Sequence, residues 1–229
     1  MTAKAMISTG WRVRLGGMAA MFVGFCAFFL YDGFVGYPKQ REIHDQFVAF
    51  SESHKDKNEV QILALWDEHA AQNGLPPSGK EGKEIKSMDK SDGSILTQKV
   101  LGFLLIPISA MMVLAWFQTF NRWVAVDENG VTSSAGQNAP WASMTKLDKL
   151  RWPKKGIAFL HYEDADKRIG QKILLDDFKF DRIATEQIVR AIEDHLKDEQ
   201  IVGDIRESER DKRKAAKAAE SASAVSTSS

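Results

Sequence analysis

Two long apolar runs, Leu15–Tyr31 and Val100–Phe117, separate polar segments and decide which solvent this chain is built for. A helix that crosses the hydrocarbon core of a bilayer needs about 20 mostly apolar residues, with about 17 tolerated. Neither run carries a charge; Asp32 follows the first and Lys99 precedes the second. The core helix of a soluble protein shows an apolar stripe against a polar face. These runs are apolar on every side, so the sequence reads as a two-pass membrane protein whose first partner is the lipid bilayer.

The 229 residues hold 31 basic and 31 acidic side chains, a net charge of zero. A nucleic-acid partner is not expected, because its binding would call for a basic footprint. The single cysteine, Cys26, excludes an intrachain disulfide and any multi-cysteine metal site. Lys4, Arg12 and Arg14 make a basic flank before the first run, and no small-x-small cleavage pattern follows it. An uncleaved signal anchor is therefore expected. The basic flank places the N-terminus inside, the inter-helix loop outside and the C-terminus inside. The expected location is a bacterial cytoplasmic (inner) membrane with both termini cytoplasmic.

Seven segments follow. Residues 1–14 are a basic N-terminal segment, 15–36 the first membrane helix, and 95–120 the second. Gly16, Ala20 and Gly24 recur every four residues on the first span, a stripe that lets two helix backbones approach in lipid. Its partner is either the second span, with Gly102, Ser109 and Ala110, or a second copy of the chain in a homo-oligomer. Between the spans, residues 37–75 read as a helical hairpin. Ile43, Phe47 and Phe50 share one helix face, and Asn58 with Gln61 forms a capping-box pattern ahead of Ile62, Leu65, Trp66 and His69. Residues 76–94, rich in Gly, Ser, Lys and Asp, are expected to be a flexible linker.

The period changes after the second span. Val124 and Val126 alternate with other residues, Asp127-Glu128-Asn129-Gly130 supplies a hairpin turn, and Val131 starts the return strand. Trp141–Trp152, Ile157–Tyr162 and Ile169–Leu175 read as further strands, the first irregular enough to require a bulge. The last hairpin turn falls at Asp164–Lys167, and Asp181 caps a helix with Ile188, Val189, Ile192 and Leu196 on one face. Residues 122–196 thus form a small antiparallel sheet closed by one helix, and the whole chain is an α+β membrane protein. Residues 197–229 are charged and expected to be largely disordered; Arg206–Ala219 mixes charges at helical spacing, read as a solvated helix or else a partner-docking arm, and the Ser/Ala-rich end after it as disordered.

The acidic-Gly hairpin leading into Gly130-Val131, the Trp ahead of a strand, Lys155-Gly156-Ile157 and the closing helix resemble bacterial pleckstrin-homology-like (PH-like) domains. Those domains hang beneath one or two membrane helices, so the resemblance implies a membrane-anchored interaction module. Two features depart from the family. About five strands are legible where the family has seven, and the first hairpin turn is acidic at Asp127 and Glu128, where phosphoinositide-binding relatives are basic.

The histidines His44, His54, His69, His161 and His195 show no metal-ligand spacing, and no phosphate-cradling glycine loop is present outside the apolar runs. No catalytic, cofactor or metal residue is assigned, and an enzyme is not expected. Trp152, Lys154 and Lys155 place an aromatic and two cations on one turn, a candidate contact for a protein partner or anionic lipid headgroups. The expected function is that of a membrane-anchored adaptor or regulatory protein. The alternative is an accessory or assembly subunit whose spans carry the contacts.

Overall fold

The structure is a computed structural model that describes residues 2–164 and 171–226. The turn expected at Asp164–Lys167 and the start of the strand after it fall largely outside the described residues. The chain divides into two compact units, residues 17–114 and residues 1–16 with 115–229.

The chain begins with a strand, β1 (Ala3–Met6), where only a basic flank was expected. Helix α1 (Thr9–Tyr31) follows, starting six residues before the apolar run because the Ser8 hydroxyl accepts the Trp11 N–H at 3.2 Å and caps it. A π-helical turn over Asp32–Gly36 carries α1 without interruption into α2 (Tyr37–Ser53), rather than into a loop.

Within the 17–114 unit, α3 (Glu59–Asn73) packs back on α2. Asn58 accepts the Gln61 N–H at 3.0 Å while Gln61 accepts the Asn58 N–H at 3.2 Å, and Gly74 ends the helix in a left-handed conformation. Trp66 is completely buried between these helices, with Phe47 and Phe50 edge-on to it at 5.3 and 5.6 Å. Residues 76–94 are not the expected flexible linker. They hold a one-turn 3-10 helix (Lys80–Gly82) and α4 (Lys83–Ser87), which plugs Ile85 into the Trp66 cluster. The Ser78 N–H donates to Asp67 at 2.6 Å and fixes the entry to this segment. One buried Ile and one tether hold a stretch whose composition reads as solvated.

Helix α5 (Asp92–Gln118) contains Pro107 and is the second helix long and apolar enough to cross a membrane. It meets α1 through small residues. A methyl group on Gly102 would lie 2.6 Å from Leu30, and one on Gly33 would lie 2.9 Å from the Lys99 backbone. The Cys26 thiol donates to the Gly102 carbonyl at 3.5 Å, and Ala19 and Ser109 are also buried. Elsewhere both helices leave large apolar side chains uncovered, among them Phe25, Phe28, Phe103, Leu104 and Met111.

The second unit is built on two four-stranded sheets. In the first, β1 pairs antiparallel with β2 (Trp123–Val126), β2 with β3 (Gly130–Ser133), and β3 with β4 (Asn138–Pro140). Gly130 is required at the first turn, since a Cβ there would sit 2.2 Å from the Ala139 carbonyl oxygen. In the second sheet, β5 (Met144–Arg151), a one-turn helix α6 (Trp152–Lys155), β6 (Ile157–Tyr162) and β7 (Gln171–Asp176) form an antiparallel meander. Helix α7 (Arg182–His195) is capped by Asp181, which accepts the Ala184 N–H at 2.9 Å. It buries Ile188, Val189 and Ile192 against Val124, Val126, Leu147, Leu160 and Ile173.

The described strands therefore exceed the five legible in sequence, and the helix of the charged tail runs past Ala219 into the Ser/Ala-rich residues expected to be disordered. A two-residue strand β8 (Ile201–Val202) runs parallel to β5, and α8 (Glu207–Ser226) follows. Register along β5 shifts twice, so that Lys149 points inward while Leu150 faces solvent. The first eight residues bind both sides of the unit. Beyond the β1–β2 ladder, Ile7 bridges to Phe180, Ser8 donates to the Lys179 carbonyl and Asp181 donates to the Met6 carbonyl, both at 2.8 Å.

Because Ala5 is buried in this core, Ala5→Asp is expected to destabilise the sheet unit by about 3 kcal/mol or more, the cost of an unpaired buried charge. Thermal unfolding of the full chain in detergent checks this, with Lys4→Ser on the exposed face of β1 changing stability by no more than about 0.5 kcal/mol.

Candidate ligand-binding groove

Lys149 on β5 is fully buried, and its three N–H donors meet three acceptors: Glu193 at 2.6 Å, Glu207 at 2.8 Å and the Ile205 carbonyl at 2.7 Å. An ammonium has three donors and no acceptor, so this one is saturated and has none left for a ligand. Glu193 accepts the Glu207 N–H at 2.8 Å through its second oxygen, and Glu207 accepts the Trp152 indole N–H at 2.8 Å. Arg206 donates to the Leu196 carbonyl at 2.7 Å and to the Glu193 carbonyl, satisfying two carbonyls at the end of α7. These bonds hold the start of α8 against β5 and α7.

Fixing α8 there completes a groove of about 1060 Å³ inside the sheet unit. Its walls come from the first turns of α1, from α6, from the corner after β7, and from α7 and α8. Trp11 and Phe178 pack edge to face at 5.6 Å, with the Arg14 guanidinium 4.8 Å from the Phe178 ring. Gly156 ends α6 at φ 63°, and a methyl there would strike the Asp177 carboxylate at 1.6 Å, so α6 and the β7 corner close up only around glycine. Burial raises the Asp177 carboxyl above the ordinary aspartate value, against the lowering effect of Arg182, whose Nε lies 3.5 Å away.

Of the residues expected at a contact turn, Trp152 faces inward, 6% exposed and bound to Glu207. It is part of the scaffold and not a surface platform. Lys154 and Lys155 are exposed on the rim of the groove. The structure adds Arg14, Arg182 and Lys214, which sequence reasoning missed because they lie in the N-terminal flank, the closing helix and the tail.

Of the stripe Gly16, Ala20 and Gly24, only Gly16 faces α5, at Trp116. Ala20 is exposed and a methyl on Gly24 would meet nothing within 4 Å, while the rest of the contact runs through Ala19, Cys26 and Gly33. A methyl on Gly16 would meet the Trp116 ring at 2.8 Å, inside the sheet unit. Among the described residues no three His, Cys, Asp or Glu side chains gather as a metal site requires. No family model, curated protein or solved structure matches this chain.

Removing one partner of the buried cluster leaves the others uncompensated, so Lys149→Ala is expected to cost about 3–5 kcal/mol. Hydrogen exchange should show α8 and α7 losing protection together. Arg190 ties α8 to α7 through Asp211 at 2.6 Å, and this bond lowers the Asp211 carboxyl below its ordinary value. A lowered carboxyl contributes stability that is present above its unfolded-state value and lost as pH falls through its folded-state value. Exchange over residues 207–219, corrected for intrinsic rate, should therefore rise on acidification below the ordinary aspartate range. Asp211→Asn should reduce that pH dependence, leaving the part carried by Glu193 and Glu207 on Lys149.

Proposed function

We propose that this chain is a two-pass, membrane-anchored adaptor or regulatory protein that presents a PH-like interaction domain, and that it is not an enzyme. The observation that carries this is the entry of both ends of residues 7–122 into one sheet. Strand β1 precedes the first apolar helix, β2 follows the second, and the two pair along their length. If both helices span, they must do so as a hairpin, with Ala3–Met6 and the C-terminal domain on one face and the α2–α3 hairpin on the other.

The uncovered apolar side chains around α1 and α5 support insertion in lipid. The PH-like reading is supported by an antiparallel meander of four strands, a second meander of three, and a closing helix in that order. On this reading the two spans are an insertion between the first and second strands of the domain. An adaptor role fits a domain whose buried ionisable cluster, Lys149, Glu193 and Glu207, is engaged in holding the fold. The basic flank of Arg12 and Arg14 supports a domain on the cytoplasmic side of a bacterial inner membrane. An accessory-subunit role is the second reading, favoured by the open space beside Gly24, where another helix can approach.

Topology reporters fused at residues 75 and 200 should report opposite compartments, and the chain should stay with membranes through a carbonate wash. Purification in detergent should return a defined partner that Ala5→Asp releases. The reading fails if the full chain is monodisperse in detergent-free buffer or if it purifies alone. Loss of the partner on Gly24→Leu, but not on Ala5→Asp, would select the accessory-subunit role instead.

A further inference from the structure

We propose that the groove between α1, α6, α7 and α8 holds the phosphate group of an anionic ligand at the membrane surface. The proposal deepens the membrane-anchored reading and rests on it. Arg14, Lys154, Lys155 and Lys214 come from three separate elements and line one groove, and none has a carboxylate within 4.0 Å among the described residues, although Lys214 lies near enough to Asp211 to help lower its carboxyl. Like charges brought together this way repel, and their field attracts a counter-charge.

The carboxylates of the same groove are already engaged. Glu207 binds Lys149, Asp204 binds Arg210, Glu186 binds Arg190 at 2.7 Å, and Asp177 lies 3.5 Å from Arg182. What remains for a ligand is positive charge. Ser8 and Gly10 add the N-terminus of α1, a 23-residue helix, to the wall, and that end of a helix favours an anion.

Position narrows the ligand further. Arg14 directly precedes the apolar run that starts at Leu15, and Trp11 and Phe178 give the groove an aromatic edge beside it. Phosphates of a bilayer lie at that depth, with glycerol and acyl chains on the apolar side. A volume of about 1060 Å³ admits a whole glycerophosphate headgroup. The same chemistry is offered by a soluble phosphate ester, and the two sources are separable.

The test uses the full chain in mild detergent, with native mass spectrometry counting retained lipid from equal mixtures of phosphatidylglycerol and phosphatidylcholine. The expected result is roughly tenfold enrichment of phosphatidylglycerol, equivalent to about 1.4 kcal/mol. Lys155→Glu and Lys214→Glu should each bring the ratio near one, while Lys212→Glu, on the same helix outside the groove, should not. Arg14→Gln is the second variant should either reversal lower the unfolding temperature. Competition by millimolar glycerol phosphate marks the phosphate itself as the recognised group. Binding of glycerol phosphate without lipid preference assigns the soluble source. Equal retention of both lipids with no glycerol phosphate binding overturns the proposal, as does an equal effect of Lys212→Glu, or binding of an acidic peptide alone. A chain that stays in carbonate-washed membranes while showing neither lipid preference nor glycerol phosphate binding retains its anchoring and loses only the groove assignment.

Discussion

The ladder of Ala3–Met6 on Trp123–Val126 joins the start of the chain to its middle, and everything between them must leave from and return to one sheet edge. Closing so long a loop costs conformational entropy before any contact compensates it. The compensation is dense: Ala5 enters the core, Ile7 bridges to Phe180, and two backbone bonds tie residues 6 and 8 to the start of α7. A short N-terminal strand thereby decides the topology of both apolar helices.

A second constraint acts at the other end. Lys149 occupies an inward position of β5 that a hydrophobic residue would ordinarily fill, and it recruits Glu193 and Glu207 to neutralise it. Replacing such a cluster by apolar residues often leaves stability unchanged or raises it, so its use here is better seen in what it positions. It fixes the start of α8, and α8 brings Lys214 to the groove that Arg14 and Lys155 line from other elements.

How much of this was legible in the sequence follows from range. The apolar runs, the Asn58–Gln61 cap, the Asp127–Gly130 turn and the α7 stripe are local patterns, and each marks a helix or turn at that place. Strand β1 was not legible, because it contributes one buried side chain, Ala5, and its partner lies beyond two helices. The ordering of α8 depends on Glu207 meeting Lys149, and nothing in the charged tail signals that partner. In α4 a single residue, Ile85, decides between packing and solvation. Lys154 and Lys155 were legible as a basic turn, whereas Arg14 and Lys214 join them only through those same long-range contacts.

The position of β1 also sets an order of events during synthesis. Ala3–Met6 is synthesised before both apolar helices, yet its ladder partner emerges only after α5 is complete. Until then the strand has no ladder partner, and afterwards β2 presents an open edge if it fails to arrive. Completion of this sheet thus waits on the synthesis of both apolar helices, and a chain whose first strand fails to pair keeps the β2 edge open.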